Sequence, residues 1–249
     1  MDRVEWVDVD AVLFDLDGVL TPTAEVHMRA WKELFTSVLE SLPDDSGADR
    51  SPYTDQDYFR HVDGRPRYEG VEAFLRSRGI DLPHGTPDDP PEAQTVCGLG
   101  NRKNVVFNEL LDAEGIEAYP GSVRVLDDLA GRGTEVAVVT SSRNGPHVLR
   151  TSGLADRFEV VVDGGVAAEK GLRGKPEPDT YAYAAELLGV PVERCAVVED
   201  AESGVRAGAA GGFGLVVGVD RGVGADVLRE AGADVVVTDL AELLDGQTG

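Results

Sequence analysis

Asp15-Leu16-Asp17-Gly18-Val19 follows directly on the apolar run Ala11-Val12-Leu13-Phe14. A short run that is apolar at every position reads as a strand buried on both faces, the habit of parallel sheets. In open α/β sheets ligands bind beyond the carboxyl ends of such strands. Two acids at that end therefore stand where chemistry is done. Asp15 and Asp17 are two residues apart, so in extended geometry their side chains leave on one face. Gly18 permits the sharp turn that must follow. Acids at a strand end also cap turns, and the segment alone leaves both readings open.

Composition narrows the choice. Of the 249 residues, 42% are hydrophobic, which supports a packed core and argues against wholesale disorder. The formal net charge of −23 speaks against nucleic acid or an anionic membrane as partner, since both select a positive surface. Any anionic substrate must then be met by local cations set against the overall field. The two cysteines, Cys97 and Cys195, lie far apart without metal-ligand spacing. That usage fits a reducing cytoplasm and no disulfide framework. Cys195, at the start of an expected strand, reads as core rather than nucleophile. The opening residues MDRVEW carry no apolar signal-peptide stretch. No run is long enough to span a bilayer, and no internal repeat is visible. The chain is expected to work as a monomer.

Residues 24–42 carry a helical pattern, with Trp31, Leu34, Phe35, Val38, Leu39 and Leu42 at helical spacing. Residues 43–56 are polar and read as loop. A second helix is expected over about 70–78, stopping at Gly79. The proline-rich stretch 82–91 reads as loop again, and a third helix is expected over about 102–112. Beyond Pro120 the pattern changes. Helical stretches alternate with Val136-Ala137-Val138-Val139, Glu159-Val160-Val161-Val162, Ala196-Val197-Val198, Gly214-Leu215-Val216-Val217 and Asp234-Val235-Val236-Val237. Such alternation predicts βαβ units and a parallel sheet flanked by helices. The strand over residues 9–14 must join that sheet across the helical block. The expected organisation is thus a core of residues 1–23 and 114–249 with a helical domain, 24–113, inserted after the first strand. Thr21-Pro22-Thr23 and Glu114-Gly115 would connect them.

Polar residues of chemical interest fall just after these strands. Thr140-Ser141-Ser142 follows Val139, Glu199-Asp200 follows Val198, and Lys175 lies in a Pro-flanked loop that opens the helix around residues 181–188. All would meet Asp15 and Asp17 at one edge of the sheet. Two like charges about 4 Å apart cost about 4 kcal/mol at an effective dielectric of 20, so four carboxylates gathered there need a compensating proton or cation. Oxygen ligands favour a hard cation, Mg²⁺ where phosphate is near. A hydroxyl and a Lys beside it offer what a transferring phosphoryl group needs, hydrogen-bond donors and positive charge. Asp15 could attack phosphorus, and Asp17 could protonate the leaving oxygen and later deprotonate the acceptor.

Taken in order, FDLDGVLT, the hydroxyl of VVTSS, the Lys of GKPEPD and the acid pair of VVEDAESG resemble the four motifs of the haloacid dehalogenase superfamily. The likeness is closest to its β-phosphoglucomutase-like subfamily and runs from about Val9 to Asp220. It implies a Rossmann-like α/β core with an inserted α-helical cap, and Mg²⁺-dependent phosphoryl transfer on a sugar phosphate. It implies Asp15 as aspartyl nucleophile and Asp17 as general acid–base. Thr140, Ser141 and Lys175 would hold phosphate. Mg²⁺ would be bound by Asp15, the Asp17 carbonyl, Glu199 and Asp200. The segment SSRNGP, with Ser142, Arg143 and Asn144, is similar to the loop that touches sugar and phosphate, Arg143 standing where the subfamily has Lys. In the cap, the stretch TAEVHMRAWK resembles the entry segment that brings His27 and Trp31 to substrate. Arg67 in GRPRYEGV aligns with the Arg that holds a distal phosphate, and Lys103 in NRKN with a Lys near the sugar.

There are departures. Pro22 replaces an acid, and the stretches 43–56 and 82–91 are longer than in these mutases. Both stretches lie in the cap, the part that selects substrate. Plainer readings also stand beside the functional ones. His27 lies one helical turn from Trp31 and could simply pack. Arg67 and Lys103 could be solvated surface cations, and Ser141 and Ser142 could cap the next helix. The glycines of residues 208–214 follow a helix and precede a strand, the wrong order for a dinucleotide fingerprint, and read as a helix end and turn. The preferred reading is isomerisation of a hexose phosphate. The rivals are a sugar-phosphate phosphatase on the same scaffold and a silent sugar-phosphate-binding regulator. Against the last stands Asp17, which a mere binder does not need.

Overall fold

In the computed structural model, which describes residues 9–62 and 65–244, the strand β1 (Ala11–Phe14) is buried at all four positions. It lies inside a six-stranded sheet with β2 (Glu135–Val139), β3 (Val160–Val162), β4 (Cys195–Glu199), β5 (Leu215–Val219) and β6 (Val235–Val237), in the order β3-β2-β1-β4-β5-β6. Every pairing is parallel. The chain runs outward from β1 in one direction to β3 and in the other from β4 to β6, so β1 and β4 flank the topological switch point. Phe14 is in register with Val138 on one side and Val198 on the other. Asp15 therefore leaves the sheet beside Val139 and Glu199, and its backbone N–H still donates to the Val198 carbonyl at 2.9 Å.

The chain divides into two compact units, one of Met1–Thr23 with Ile116–Gly249 and one of Ala24–Gly115. Residues 1–8, 63–64 and 245–249, which the sequence reading placed in the core and the helical insertion, lie outside the described residues. In the first unit β-branched strands are covered by helices. Tyr181, Ala184 and Ala185 of α8 (Asp179–Leu188) pack with Leu13, Val139 and Val197. Val205 of α9 (Glu202–Ala210) and Leu228 of α10 (Ala225–Ala231) pack with Val216. Also in this unit are α5 (Pro120–Arg132), α6 (Gly145–Thr151) and α7 (Gly164–Lys170). Among the described residues no helix is long and apolar enough to cross a membrane.

The second unit holds α1 (Thr23–Ser41), α2 (Asp55–His61), α3 (Arg67–Ser77) and α4 (Val96–Glu114) around an aromatic core. The Phe35 and Phe74 ring centroids are 3.9 Å apart, and Tyr53 stands 5.3 Å from each. Tyr53 comes from the polar stretch after α1, which Arg78 fastens down. The buried Arg78 guanidinium reaches Asp49 at 3.1 Å and Asp57 at 2.9 Å and lies over the Phe74 ring.

Several elements depart from the sequence reading. The loop expected over 43–56 gives way to α2 at Asp55. That helix has no buried residue and hence no apolar period, and it is held by a capping box between Thr54 and Asp57. α3 begins at Arg67 rather than Gly70, and α4 at Val96 rather than Arg102. Gly98 and Gly100 disfavour helix by propensity, but Gly100 is where the Tyr68 ring packs, so close that a Cβ would lie 2.7 Å from it. Tertiary contact overrides propensity there. α7 has no buried residue either, so no apolar period marks it in the sequence. Asp163 starts it by accepting from the Gly165 and Val166 amides, each at 2.8 Å.

Replacing Phe74 by Ala should lower the unfolding free energy by about 3–5 kcal/mol, the usual effect of removing a buried ring. Urea titration at unchanged slope measures this, and a loss below about 1 kcal/mol would show that the ring does not anchor the helical unit.

Candidate active site

The loop ending at Asp179 carries Lys175 back to the sheet edge. Its ammonium lies 2.5 Å from Asp15 Oδ1 and 2.6 Å from Glu199 Oε1, and donates to the Val139 carbonyl at 3.1 Å. All three side chains are buried. The Tyr181 hydroxyl donates to Glu199 Oε1 at 3.2 Å, and the Lys175 ammonium sits 5.0 Å from the Tyr181 ring centre. Glu199 Oε2 accepts the Ala201 amide at 2.9 Å. Both Glu199 oxygens are thus engaged by the protein, with Oε2 keeping one lone-pair direction beyond these bonds.

Asp17 accepts from the Thr23 hydroxyl, which in turn lies 3.1 Å from that of Thr21. Gly18 follows with φ +80°, a conformation side chains avoid, and its amide donates to the Thr21 carbonyl at 2.8 Å. It is also the point of closest approach to Asp200. A Cβ at residue 18 would lie 1.8 Å from Asp200 Oδ2. After β2, Thr140 is buried, and its hydroxyl accepts the Ser142 amide at 3.1 Å. Ser142 Oγ accepts the Asn144 amide at 3.1 Å, so it braces the turn before α6 rather than capping the helix. Ser141 and Arg143 are exposed, Asn144 is buried, and the Ser141 carbonyl and Arg143 stem crowd Gly164.

Within the helical unit the candidates come together around Lys103. Lys103 is buried, with its ammonium 2.5 Å from His27 Nδ1 and 5.0 and 4.8 Å from the Trp31 and Phe107 ring centres. The His27 ring stacks on Phe107 at 4.1 Å. Burial, then the Lys103 and Arg67 cations, hold His27 well below its ordinary pKa. It is therefore neutral, with Nδ1 the acceptor. Arg67 is half-buried and donates to Asn104 Oδ1 at 2.8 Å. Lys103 is thus no solvated surface cation.

A family model of haloacid dehalogenase-like hydrolases matches residues 9–212. The chain is 51% identical over 241 residues to the β-phosphoglucomutase of Mycobacterium tuberculosis, covering 95% of this chain and 92% of that protein.

The chain belongs to the haloacid dehalogenase-like hydrolases.

The Bacillus subtilis β-phosphoglucomutase is 34% identical over 93% of this chain and 94% of its own. The crystal structure of β-phosphoglucomutase from Clostridium difficile superposes with a TM-score of 0.73 at 25% identity, over 94% of this chain and 93% of that one. This haloacid dehalogenase-like protein is accordingly an enzyme of the phosphotransferase and phosphatase class.

Its acid cluster suits a cation. Oxygens of Asp15, Glu199 and Asp200 all lie within 4.8 Å of one another. Burial raises Asp15 to about 8, with Lys175 pulling down and Glu199 and Asp17 pushing up. Burial, then Glu199, Asp15 and Asp17, hold Asp200 well above the usual carboxylate range, and Lys175 only partly offsets them. One ammonium does not balance these acids, and an all-oxygen donor set matches a hard divalent ion. Burial alone would lower the Lys175 ammonium, but Asp15 and Glu199 outweigh it and hold it well above its ordinary range. Burial and Glu199 likewise keep Tyr181 a hydroxyl. Tyr181 and Asn104 escaped the sequence reading. Each looks like an ordinary helix residue, and only its contact with Glu199 or Arg67 marks it.

Because Asp15 is raised from an unfolded value of about 3.9 to about 8 when folded, the folded protein holds a proton that the unfolded chain has lost. Stability without metal should therefore fall as pH rises from about 4 to about 8. A divalent ion that takes the ionised carboxylates should stabilise more at pH 8 than at pH 6. Melting temperatures with EDTA and with excess Mg²⁺ at both pH values check this, and an equal gain at both would overturn it.

Proposed function

We propose that this enzyme is a Mg²⁺-dependent phosphomutase of the β-phosphoglucomutase type acting on a hexose phosphate. What carries the reading is the Lys175 ammonium set between Asp15 and Glu199 at the switch point of the sheet, where it also donates to the carbonyl of Val139, the residue before Thr140. A carboxylate, a fixed cation and a hydroxyl are the parts that in-line phosphoryl transfer uses. The similarity to two β-phosphoglucomutases supports the choice of substrate.

In the proposed cycle Asp15 carries the phosphoryl group as an acyl phosphate. Asp17 takes the proton from one sugar hydroxyl, that oxygen attacks phosphorus, and the bond from phosphorus to Asp15 breaks. The bisphosphate then presents its other phosphate to Asp15. An Asp15 oxygen attacks, the bond to the sugar oxygen breaks, and Asp17 returns its proton to that oxygen. Lys175, Thr140 and Ser141 hold the transferring group. Mg²⁺, bound by Asp15, the Asp17 carbonyl, Glu199 and Asp200, would supply positive charge to the phosphoryl oxygens. His27, Trp31 and Lys103 are assigned to the sugar, with Ser142, Arg143 and Asn144 shared between sugar and phosphate. Arg67 is assigned to the phosphate that is not being transferred, since a guanidinium fork suits a dianion.

Asp15→Asn should abolish turnover and leave the fold intact, because an amide does not attack phosphorus. Retention of more than a few per cent of activity would remove Asp15 from this role. Arg67→Ala should slow isomerisation about a hundredfold, corresponding to roughly 3 kcal/mol. Hydrolysis of acetyl phosphate, which has no second phosphate, should change little. Equal loss of both activities would make Arg67 structural. A screen of sugar phosphates that scores isomer and free phosphate decides between mutase and phosphatase. Phosphate release without isomerisation would replace the first reading by the second.

A further inference from the structure

The turn between β1 and α1 carries Asp17 on a backbone whose carbonyls are held one by one. The Leu16 carbonyl accepts the Leu20 and Thr21 amides at 3.0 and 3.1 Å. The Val19 carbonyl accepts the Ser122 hydroxyl at 2.7 Å, and the Leu20 carbonyl the Tyr119 amide at 2.9 Å. The Gly18 carbonyl is held differently. It accepts a hydrogen bond at 2.8 Å from Nε–H of Arg221, which lies just after β5, two strands from β1 in the sheet order.

Arg221 is itself closely fixed. Its Nη1 donates to the Thr238 carbonyl at 2.9 Å, and its guanidinium lies 3.9 Å over the Tyr119 ring. Its Nη2 is buried and has no hydrogen-bond partner among the described residues. The loop that presents it is pinned by Asp220, whose Oδ1 accepts the Gly222 and Gly224 amides at 2.9 and 3.0 Å. Leaving a guanidinium nitrogen buried and unpaired is costly. A neutral donor could have met the Gly18 carbonyl alone. An arginine bridges two carbonyls on separate segments, stacks on an aromatic face, and bonds more strongly because it is charged.

We propose that Arg221 is a positioning residue for phosphoryl transfer, acting through the Gly18 carbonyl on Asp17 and Asp200. Gly18 is the next residue after Asp17, and its Cα side abuts the Asp200 carboxylate so tightly that no Cβ fits between them. A shift of this peptide therefore moves the proposed acid–base group and one acid of the cation cluster together. Misplacement by about 1 Å at a reacting centre can lower rates about a hundredfold. The inference rests on the phosphoryl-transfer reading of the site, and two of its readouts need no turnover.

The test compares wild type with Arg221→Met, which keeps the bulk and removes the donors, and with Arg221→Lys and Tyr119→Leu. In metal-free Arg221→Met the melting temperature should stay within about 4 °C of wild type. Amide exchange across residues 16–22 should quicken about tenfold, and calorimetric Mg²⁺ affinity should weaken about tenfold, or about 1.4 kcal/mol. With acetyl phosphate at saturating Mg²⁺, kcat should fall ten- to a hundredfold while KM changes by less than about twofold. Arg221→Lys, which can reach one carbonyl but not both, should fall between. Wild-type exchange and Mg²⁺ affinity in a folded Arg221→Met protein would overturn the proposal. So would activity lost only in step with the folded fraction. Should Arg221→Met not fold, the same readings on Arg221→Lys and Tyr119→Leu decide, and wild-type values in both would overturn it. If wild type isomerises no sugar phosphate, the exchange and metal measurements still judge Arg221 separately.

Discussion

The contact on which the site depends is the Lys175 ammonium between Asp15 and Glu199, at 2.5 and 2.6 Å. Two carboxylates that close, both buried, repel strongly unless a charge of opposite sign stands between them. The parallel register of β1 and β4 brings Asp15 beside Glu199, and the loop before α8 brings Lys175 to both. Removing the lysine would leave two uncompensated buried anions. Removing either acid would leave a buried cation with one acid and the Val139 carbonyl. The three groups are therefore mutually required, and Tyr181 beneath them completes the hydrogen bonding of Glu199 Oε1.

That ion triad leaves a deficit of positive charge. An Asp200 oxygen lies within 4.8 Å of oxygens of Asp15 and Glu199 with its ionised form disfavoured, and Asp15 is raised to about 8 even with the lysine in place. A site so arranged holds on to protons until a cation takes their place. Preorganisation of this kind, in which acids are held apart from water by backbone turns, is what electrostatic catalysis requires. The turn at residues 16–21 does the holding, through amides, the Ser122 hydroxyl and the Arg221 fork.

The helical unit is built on a different principle. Its core is a cluster of stacked rings, and Lys103 is buried with its ammonium over the rings of Trp31 and Phe107. The long polar stretch after α1 is tied back by Arg78, so its length does not imply looseness.

The sequence by itself determined the sheet, because β-branched runs bounded by polar turn residues leave few other structures open to them. It also determined that Asp15, Lys175 and Glu199 belong at strand ends or in loops near them, since each follows or adjoins such a run. It did not reveal α2 or α7, none of whose residues is fully buried and which so have no apolar period, nor the true start of α4, where Gly98 and Gly100 hide a helix behind poor propensity. Which charges touch is set by the folded chain as a whole. Asp15 and Lys175 are 160 positions apart, and Gly18 and Arg221 are 203 apart. No local pattern encodes such contacts. They arise from strand order and register, which hydrophobic burial and backbone pairing fix across the whole chain at once.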